Sequence, residues 1–209
     1  MLSEWLRTLA SEGVDAIVVL GPDLHGGPDE RRVLAVHPLD AQHAAHALVR
    51  DADFGDGPSG PVPSVVAWHA LDPAASSNGE RDWRRPWHAR GARSTVRVNF
   101  ELPAGRAFEC FLFVAHVLQQ RTQVAVLAWL AQNFWPTLRA ALVAAWCPLT
   151  PREQECLRLA FDGLTARASA ERMACTERTV NFHLANAMAK LDVDNKMAAI
   201  QRACWLGAI

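Results

Sequence analysis

The side chains with the clearest chemistry lie in residues 176–191, where nothing interrupts a helix. Thr176 can cap that helix, because its hydroxyl accepts a hydrogen bond from a free N–H of the first turn. Helical spacing gives an apolar stripe of Val180, Leu184, Ala187, Met188 and Leu191. The opposite face carries Arg178, Asn181, Phe182 and Ala185, and the edge between them carries Thr179, His183, Asn186 and Lys190. Such a helix can enter a major groove with one face and reach phosphates with its edge, so the pattern predicts a DNA-recognition helix.

Shorter helices precede this stretch. Residues 150–153 form the pattern of a capping box with proline in the first turn, and Gly163 is a suitable end for that helix. Thr165 can cap a second helix, which ends within a few residues of Thr176. Two helices joined by so tight a turn predict a helix-turn-helix. Residues 192–195 can then cap a fourth helix with an apolar side.

The order of motifs is Leu-Thr-Pro-Arg-Glu at 149–153, Gly-Leu-Thr at 163–165, Thr-Val-Asn-Phe-His-Leu at 179–184, Lys-Leu at 190–191 and Leu-Gly-Ala-Ile at 206–209. This order resembles the four-helix DNA-binding domain of LuxR-type regulators, above all their quorum-sensing branch. The resemblance implies base contacts at Asn181, Phe182 and Ala185. It implies phosphate contacts at Thr179, His183 and Lys190. It also implies a dimer contact through the last helix, whose apolar residues include Met197, Ile200 and Cys204.

The chain departs from the LuxR-type pattern at Ala168 and Ser169, where the family usually has an acidic residue followed by isoleucine. An isoleucine-sized gap in the core costs about 2 to 5 kcal/mol if its neighbours do not fill it. We therefore expect a softened helix-turn-helix. A four-helix bundle without a nucleic-acid role is the alternative, which periodicity allows and the motif order disfavours.

Charge is nearly balanced, with 21 Lys and Arg against 22 Asp and Glu and a net charge of −1. After Trp146 there are eight Lys and Arg against seven Asp and Glu, so 13 against 15 precede it and the balances are +1 and −2. Phosphate neutralisation supplies much of the affinity for DNA. We therefore expect a monomer to bind double-stranded DNA weakly and to need a second copy of the chain.

Cysteine usage and hydropathy predict a cytoplasmic protein. The five cysteines show no metal-ligand spacing, which predicts reduced core thiols, with redox sensing as the alternative. His43 and His46 stand one helical turn apart without a third candidate ligand nearby, so we expect no metal. The longest apolar run, residues 124–131, is too short to cross a bilayer, and no signal peptide is evident, so no membrane contact is expected.

The first 145 residues predict an α+β domain. Residues 1–12 have the pattern of an amphipathic helix, residues 39–49 that of a second helix, and residues 118–145 that of a third, which Pro136 should kink or split. Strands are predicted at 16–20, 32–36, 61–68, 94–102 and 107–116, the last buried on both faces. Residues 71–86 are polar and are predicted as a loop. The order of elements predicts helices on an antiparallel sheet, similar to GAF-like and PAS-like sensor domains.

That architecture also resembles the autoinducer-binding domain of quorum-sensing LuxR-type proteins. The resemblance implies an acyl-homoserine lactone pocket in which an Asp-Pro aspartate and a downstream tryptophan bind the ligand, and the candidates are Asp72 and Trp87. Trp68 and Trp83 could line the same pocket. The family's pocket tyrosine is absent, because the chain has no tyrosine. An ordinary turn at Asp72 and simple packing of the tryptophans is the alternative.

Taken together, these patterns predict a cytoplasmic transcription regulator with a sensing or dimerising domain at residues 1–145 and a LuxR-type helix-turn-helix at residues 149–209. It is expected to form a homodimer. Its activity is expected either to be controlled by a small ligand or to be independent of a ligand. The alternative is an interaction protein that forms a heterodimer with a related full-length regulator and blocks its binding to DNA. No nucleophile elbow, phosphate loop or pair of catalytic carboxylates is evident, so an enzyme is not expected.

Overall fold

The first part of the chain is built on five strands in the computed structural model, which describes residues 2–23, 30–50, 65–72 and 83–209. In chain order its elements are α1 (Leu2–Ser11), β1 (Val14–Pro22), β2 (Arg31–His37), α2 (Gln42–Arg50), β3 (Val66–Ala70), α3 (Arg84–Ala89), β4 (Ser94–Glu101), β5 (Ala107–Val114) and α4 (Arg121–Trp146). A 3-10 turn at Leu39–Ala41 leads into α2, and another at Pro103–Gly105 joins β4 to β5.

The strands form one sheet in the order β2-β1-β5-β4-β3, and all neighbours are antiparallel. The central strand, β5, is buried along almost its whole length. Helices cover both of its faces, which explains why its sequence is apolar without alternation. The sheet and its helices confirm the predicted α+β fold of this part.

Alternation along the strands separates two apolar cores, because successive side chains of a strand point to opposite faces. On one face, Val96, Val98, Cys110 and Leu112 pack with α1 and α4. On the other face, Ala16, Val18, Phe111 and Phe113 pack with α2 and α3. The second core contains the two largest fully buried side chains, Trp83 and Trp87.

The short helix α3 was not predicted, since residues 71–86 were expected to be a polar loop. Six residues span less than two turns, too few for helical periodicity to show, and Pro86 lies in the first turn, where its missing N–H costs nothing. The predicted strand at 61–68 corresponds to β3, which begins at Val66. The part of that prediction at residues 61–64 lies outside the described residues.

Of the two outcomes predicted for Pro136, a kink or a split, the split is wrong, because α4 runs unbroken for 26 residues. Proline removes the N–H that would bond to the carbonyl of Gln132. Both residues are exposed, so water can satisfy that carbonyl and the helix continues. Within the described ranges, no helix is both long and apolar enough to cross a membrane.

The last part of the chain consists of α5 (Pro151–Phe161), α6 (Ala166–Arg172), α7 (Glu177–Lys190) and α8 (Lys196–Trp205). Each predicted cap is confirmed, because the side chains of Thr150, Thr165, Thr176 and Asn195 each accept from a backbone N–H of the first turn. The four helices share one apolar core, and the tight turn between α6 and α7 completes a helix-turn-helix.

The end of α8 packs against the turn between β4 and β5. The guanidinium of Arg106 lies 4.7 Å from the centre of the Trp205 ring, and Arg139 of α4 donates from Nη2 to the Gly207 carbonyl at 2.7 Å. Gly207 has a φ of +66°, and a Cβ there would lie only 2.8 Å from Cε2 of the buried Phe108 ring. The last helix is therefore held directly by the sheet of the first part.

This contact can be tested by comparing two glycines that both end helices with positive φ. Gly163 has a φ of +84° and no atom within 4 Å of an added Cβ, so Gly163→Ala should cost only the backbone strain, about 1 kcal/mol. Gly207→Ala should cost about 1 to 3 kcal/mol more, because the methyl overlaps Phe108. Urea unfolding of the full chain measures both, and equal losses in the two variants would contradict the contact.

Candidate nucleic-acid interface

One stripe of α7 fixes the helix to its domain. Val180, Leu184 and Ala187 are buried in the shared core, as the spacing predicted. At the start of the helix, the hydroxyl of Thr176 accepts from the N–H of Thr179 at 3.1 Å. Packing on one side and a cap at the first turn leave the remaining sides of α7 open.

The side of α7 opposite the core is exposed along its length. Arg178, Asn181 and Ala185 are all exposed, and the side chain of Phe182 is 61% exposed. Arg178 forms no ion pair with any residue that the structure describes. The face thus offers one cation, one amide and one apolar ring, with a small residue one turn further on.

The edge between the exposed face and the core is half-buried. The Thr179 hydroxyl shares a hydrogen bond of 2.8 Å with the Thr176 hydroxyl, and either oxygen can donate. The His183 ring lies 5.9 Å from the Phe182 ring at an angle of 59°. Both side chains therefore flank the exposed face, where a nucleic-acid backbone would run.

Lys190 forms an ion pair within the protein that the sequence did not predict. Its ammonium Nζ lies 2.9 Å from Oε2 of Glu153, a side chain that is 4% exposed. The same Oε2 accepts from the Thr150 N–H at 2.7 Å, and the Glu153 N–H donates back to the Thr150 hydroxyl at 3.3 Å. The ion pair gives Lys190 a structural role, and its contact with a phosphate stays a prediction, since its side chain is 37% exposed.

Burial by itself would raise the pKa of the Glu153 carboxyl. The hydrogen bonds from Lys190 and from the Thr150 backbone outweigh that burial, and the pKa of Glu153 is lowered overall. Glu153 is therefore held as a carboxylate. It closes the capping box of α5 and at the same time anchors the end of α7.

Ser169 lies in the core of the helix-turn-helix, at 2% exposure. The place is therefore an interior position, as the departure from the family pattern implied. Its backbone N–H donates to the Thr165 carbonyl at 2.9 Å, so the first turn of α6 is formed in spite of the short side chain.

The five cysteines are free, and three of them, Cys110, Cys147 and Cys156, are buried. Burial raises the pKa of the Cys110 thiol to about 12 and that of Cys156 to about 11. Such thiols stay protonated and act as small apolar residues. This confirms the prediction of core positions for these three cysteines.

The residues predicted for dimer contact do not share one surface. Met197 is 67% exposed, Cys204 is half-buried, and Ile200 is only 4% exposed. Ile200 is turned by about 60° around the helix from the Met197 and Cys204 line, toward the core of its own domain. Ile200 is therefore a core residue, and only Met197 and Cys204 are accessible to a second chain.

The predicted ligand residues are not brought together either. Trp68 pairs with Val96 across β3 and β4, and residues directly opposite each other share a face. That face is the one covered by α4, where Trp68 remains 42% exposed. Trp83 and Trp87 are buried on the other face, and Asp72 is exposed. The strand's period of two separates Trp68 from Trp83 and Trp87, so a pocket lined by all four residues does not form.

The face with Trp83 and Trp87 is closely packed. The Trp87 ring stacks on Phe113 with centres 3.6 Å apart, and the His69 ring lies edge-on to Trp83 at 6.5 Å. Burial, followed by the charges of Arg84 and Arg97, lowers the pKa of His69. The indole N–H of Trp87 has no hydrogen-bond partner in the part of the chain that the structure describes.

A second buried ion pair also went unpredicted. Glu109 on β5 is 8% exposed and accepts from Arg31 of β2 at 2.9 Å, and Arg97 of β4 lies 3.6 Å from its other oxygen. These residues are distant in sequence, so the only available signal was a single carboxylate inside an apolar strand. A buried carboxylate in an apolar strand indicates a cationic partner on another strand of the sheet.

The ion pair between Glu153 and Lys190 generates a test with a matched control. Glu153→Gln should lower the free energy of unfolding by about 1 to 3 kcal/mol at pH 7, because the Lys190 ammonium loses its carboxylate. The folded-state pKa of Glu153 is below the ordinary value. The stabilisation that its carboxylate provides is therefore complete above about pH 4.3, the pKa of an unfolded glutamate. It should be lost as pH falls through the folded pKa.

Urea unfolding of the wild type and the variant between pH 7 and pH 3 measures this difference. Glu155→Gln is the control, since that carboxylate pairs with Arg152 on the surface of the same helix, and it should change stability by less than about 1 kcal/mol. A Glu153→Gln loss that does not shrink on acidification would contradict the role of the charge.

Comparison with known proteins identifies the helical part. The family model described as bacterial regulatory proteins of the luxR family matches residues 147–203. Over 61 residues the chain is 51% identical to the transcriptional activator protein AnoR of Acinetobacter nosocomialis and 44% identical to the transcriptional activator protein LuxR of Aliivibrio fischeri. These matches cover 29% of this chain and 26% and 24% of the two relatives, so the chain spans about a quarter of the length of these curated relatives.

The fold of the whole chain is similar to that of SdiA. The crystal structure of Escherichia coli SdiA aligns with a TM-score of 0.55 and 17% identity, covering 99% of this chain and 89% of that one. A structure of SdiA in complex with octanoyl-rac-glycerol aligns with a TM-score of 0.53 and 16% identity, over 98% of this chain and 86% of that one. At this identity the likeness shows the fold alone.

AnoR and LuxR are named as activators of transcription and not as enzymes, in agreement with the expectation that this chain is not an enzyme. The family model covers α5, α6, α7 and most of α8. The C-terminal part of this chain is therefore a helix-turn-helix domain of the LuxR family.

Proposed function

We propose that this protein is a sequence-specific DNA-binding regulator of transcription. The observation that carries the proposal is the exposed face of α7, on which Arg178, Asn181 and Phe182 stand clear of the core. In a helix-turn-helix the second helix lies in the major groove and its first turns contact base edges. Membership of the helical part in the LuxR family, whose named relatives activate transcription, supports this role.

We assign the phosphate contacts to the edge of α7, at Thr179 and His183. Lys190 supports them indirectly, because its ion pair with Glu153 sets the position of the end of the helix. Ala185 lies on the exposed face one turn beyond Asn181 and completes the surface that would meet the groove. These assignments follow from position on the helix and from the chemistry of each side chain.

We propose a homodimer as the active form, because one domain carries a charge balance of only +1. Two copies bound to one inverted repeat add their contacts. The predicted dimer contact lies on α8. Its exposed apolar residue is Met197, and Cys204 lies on the same line of that helix. On α4, Val126 and Trp129 are 44% and 64% exposed, and residues 122–138 of that helix carry no charge. The α4 surface suits a second copy, since no charge of residues 122–138 would be buried on contact, and the α8 surface offers the exposed apolar side chain of Met197.

We propose two functional parts, residues 1–145 for sensing or dimerisation and residues 149–209 for DNA binding. The sheet with its helices and the four-helix part each have a core of their own. Val143 and Trp146 pack on the core of the four-helix part, so the end of α4 joins the two parts.

For sensing, we propose the sheet face beneath α2 and α3. Its aromatic and aliphatic lining suits an acyl chain, and the unpaired indole N–H of Trp87 suits a carbonyl oxygen. An acyl-homoserine lactone and an acylglycerol, like the octanoyl-rac-glycerol bound to SdiA, both have these two features. The close packing of Trp87 on Phe113 favours a domain that folds without the ligand.

DNA binding can be tested by fluorescence anisotropy with the full chain and the best site selected from random DNA. Asn181→Ala should lose about 1 to 3 kcal/mol on that site and little on unrelated DNA, because an amide to a base edge carries sequence information. Gln42→Ala is the control, as it removes an exposed amide on α2 in the other part of the chain. It should leave the affinity unchanged.

Two results would contradict the proposal. Equal losses of Asn181→Ala on the selected site and on unrelated DNA would exclude base recognition by this face. A chain that binds no DNA, but releases a related regulator from its operator, would establish the interaction protein instead.

The proposed dimer can be tested separately at two surfaces, one on α8 and one on α4. Met197→Glu and Trp129→Glu should each raise the dimer dissociation constant at least about tenfold, because burying an unpaired carboxylate in an interface is costly. Gln42→Glu is the matched control, with a charge added at an exposed site away from both surfaces. Sedimentation equilibrium measures the constants, and unchanged values for both test variants would exclude these surfaces.

A further inference from the structure

Phe182 is a large apolar side chain that the fold does not use. It is 61% exposed and is not part of the core of its domain, and among the described residues the aromatic ring near it is that of the edge residue His183, with centres 5.9 Å apart. Exposing a phenyl ring to water is unfavourable in free energy. Phe182 lies in the middle of the face proposed to enter the groove, so we expect its ring to contact a binding partner there.

The neighbours of Phe182 allow α7 to approach a groove closely. Ala185 lies one turn further along the helix from both Asn181 and Phe182, and Ala189 lies one turn beyond Ala185. Both alanines are exposed and end at a methyl group. Beyond Phe182, no long side chain on this line therefore holds the helix away from the base edges, and Asn181 and Phe182 can reach them.

The chemistry of the two side chains selects different base features. A phenyl ring has no donor or acceptor, so it would leave the polar edge of adenine, guanine or cytosine without water or a hydrogen bond. The 5-methyl group of thymine is the one apolar feature of the major groove. The amide of Asn181 can instead accept from N6 and donate to N7 of adenine.

We infer that Phe182 is a specificity-determining residue that reads the methyl group of a thymine, beside an adenine read by Asn181. Each half of the binding site then contains adjacent A·T pairs opposite these two residues. The inference rests on the proposed function, because it requires that the exposed face of α7 enters the major groove. It goes beyond that function by naming the base features that the face recognises.

The test uses the full chain and a site selected from random DNA, in which each thymine is replaced in turn by deoxyuridine. This exchange removes only the methyl group. At one thymine in each half-site the dissociation constant of the wild type should rise about three- to fivefold, the equivalent of about one methylene of apolar contact. Substitution in both half-sites should multiply the two effects.

Variants connect the methyl group to Phe182. Phe182→Ala should bind the thymine and deoxyuridine sites equally well, and Phe182→Leu should keep part of the preference for thymine. Phe161→Ala is the matched control, because Phe161 on α5 is 62% exposed and lies outside α7. It should show the full preference of the wild type. Replacement of adenine by 7-deazaadenine should weaken the wild type about tenfold and leave Asn181→Ala unaffected.

The outcomes separate the inference from the function on which it rests. A wild type that binds a defined site with no preference for thymine over deoxyuridine at any position overturns the inference and leaves the proposed function in place. A preference that survives in Phe182→Ala also overturns it. A wild type that selects no site from random DNA overturns both.

Discussion

The position of the recognition helix depends on one buried carboxylate. Glu153 closes the capping box at the start of α5 and accepts from Lys190 at the end of α7. Without this carboxylate, the N–H of the cap residue Thr150 and the ammonium of Lys190 would both lose their acceptor in a half-buried site. The pair thus links the first helix of the domain to the last turn of the third. Core packing along Val180 and Leu184 then sets the rotation of α7 about its axis.

The last helix is the element through which the two parts of the chain meet. Trp205 and Gly207 contact the β4–β5 turn, while Arg139 of α4 holds the Gly207 carbonyl. The recognition helix has no comparable contact with the sheet among the described residues, and it is tied to α5 and α6 instead. A displacement of the β4–β5 turn would therefore act first on α8, which is also the helix proposed for dimer contact.

Local patterns predicted most of the fold and the outline of the site. Caps at Thr150, Thr165, Thr176 and Asn195 are formed by residues within one turn of each other, so the sequence displays them directly. The errors arise where the partner is distant in sequence. The ion pair of Lys190 was missed because Glu153 is 37 residues away, and Trp68 was grouped with Trp83 because the pairing of β3 with β4 was not known. Ile200 was misplaced by a fraction of a helical turn, a distinction that only the packed core makes.

With so little net charge, the part proposed to bind DNA would need short-range contacts for its affinity. Its balance is +1, and the ion pair with Glu153 already engages one of its eight cations. Few phosphate contacts make the salt-dependent part of binding small, on unrelated DNA and on the specific site alike. In the proposed complex, the ratio between specific and unspecific binding then depends on base contacts by Asn181 and Phe182, counted once in each half-site. A second copy of the chain would double these contacts, which is why we propose that dimer formation supplies the affinity that charge does not.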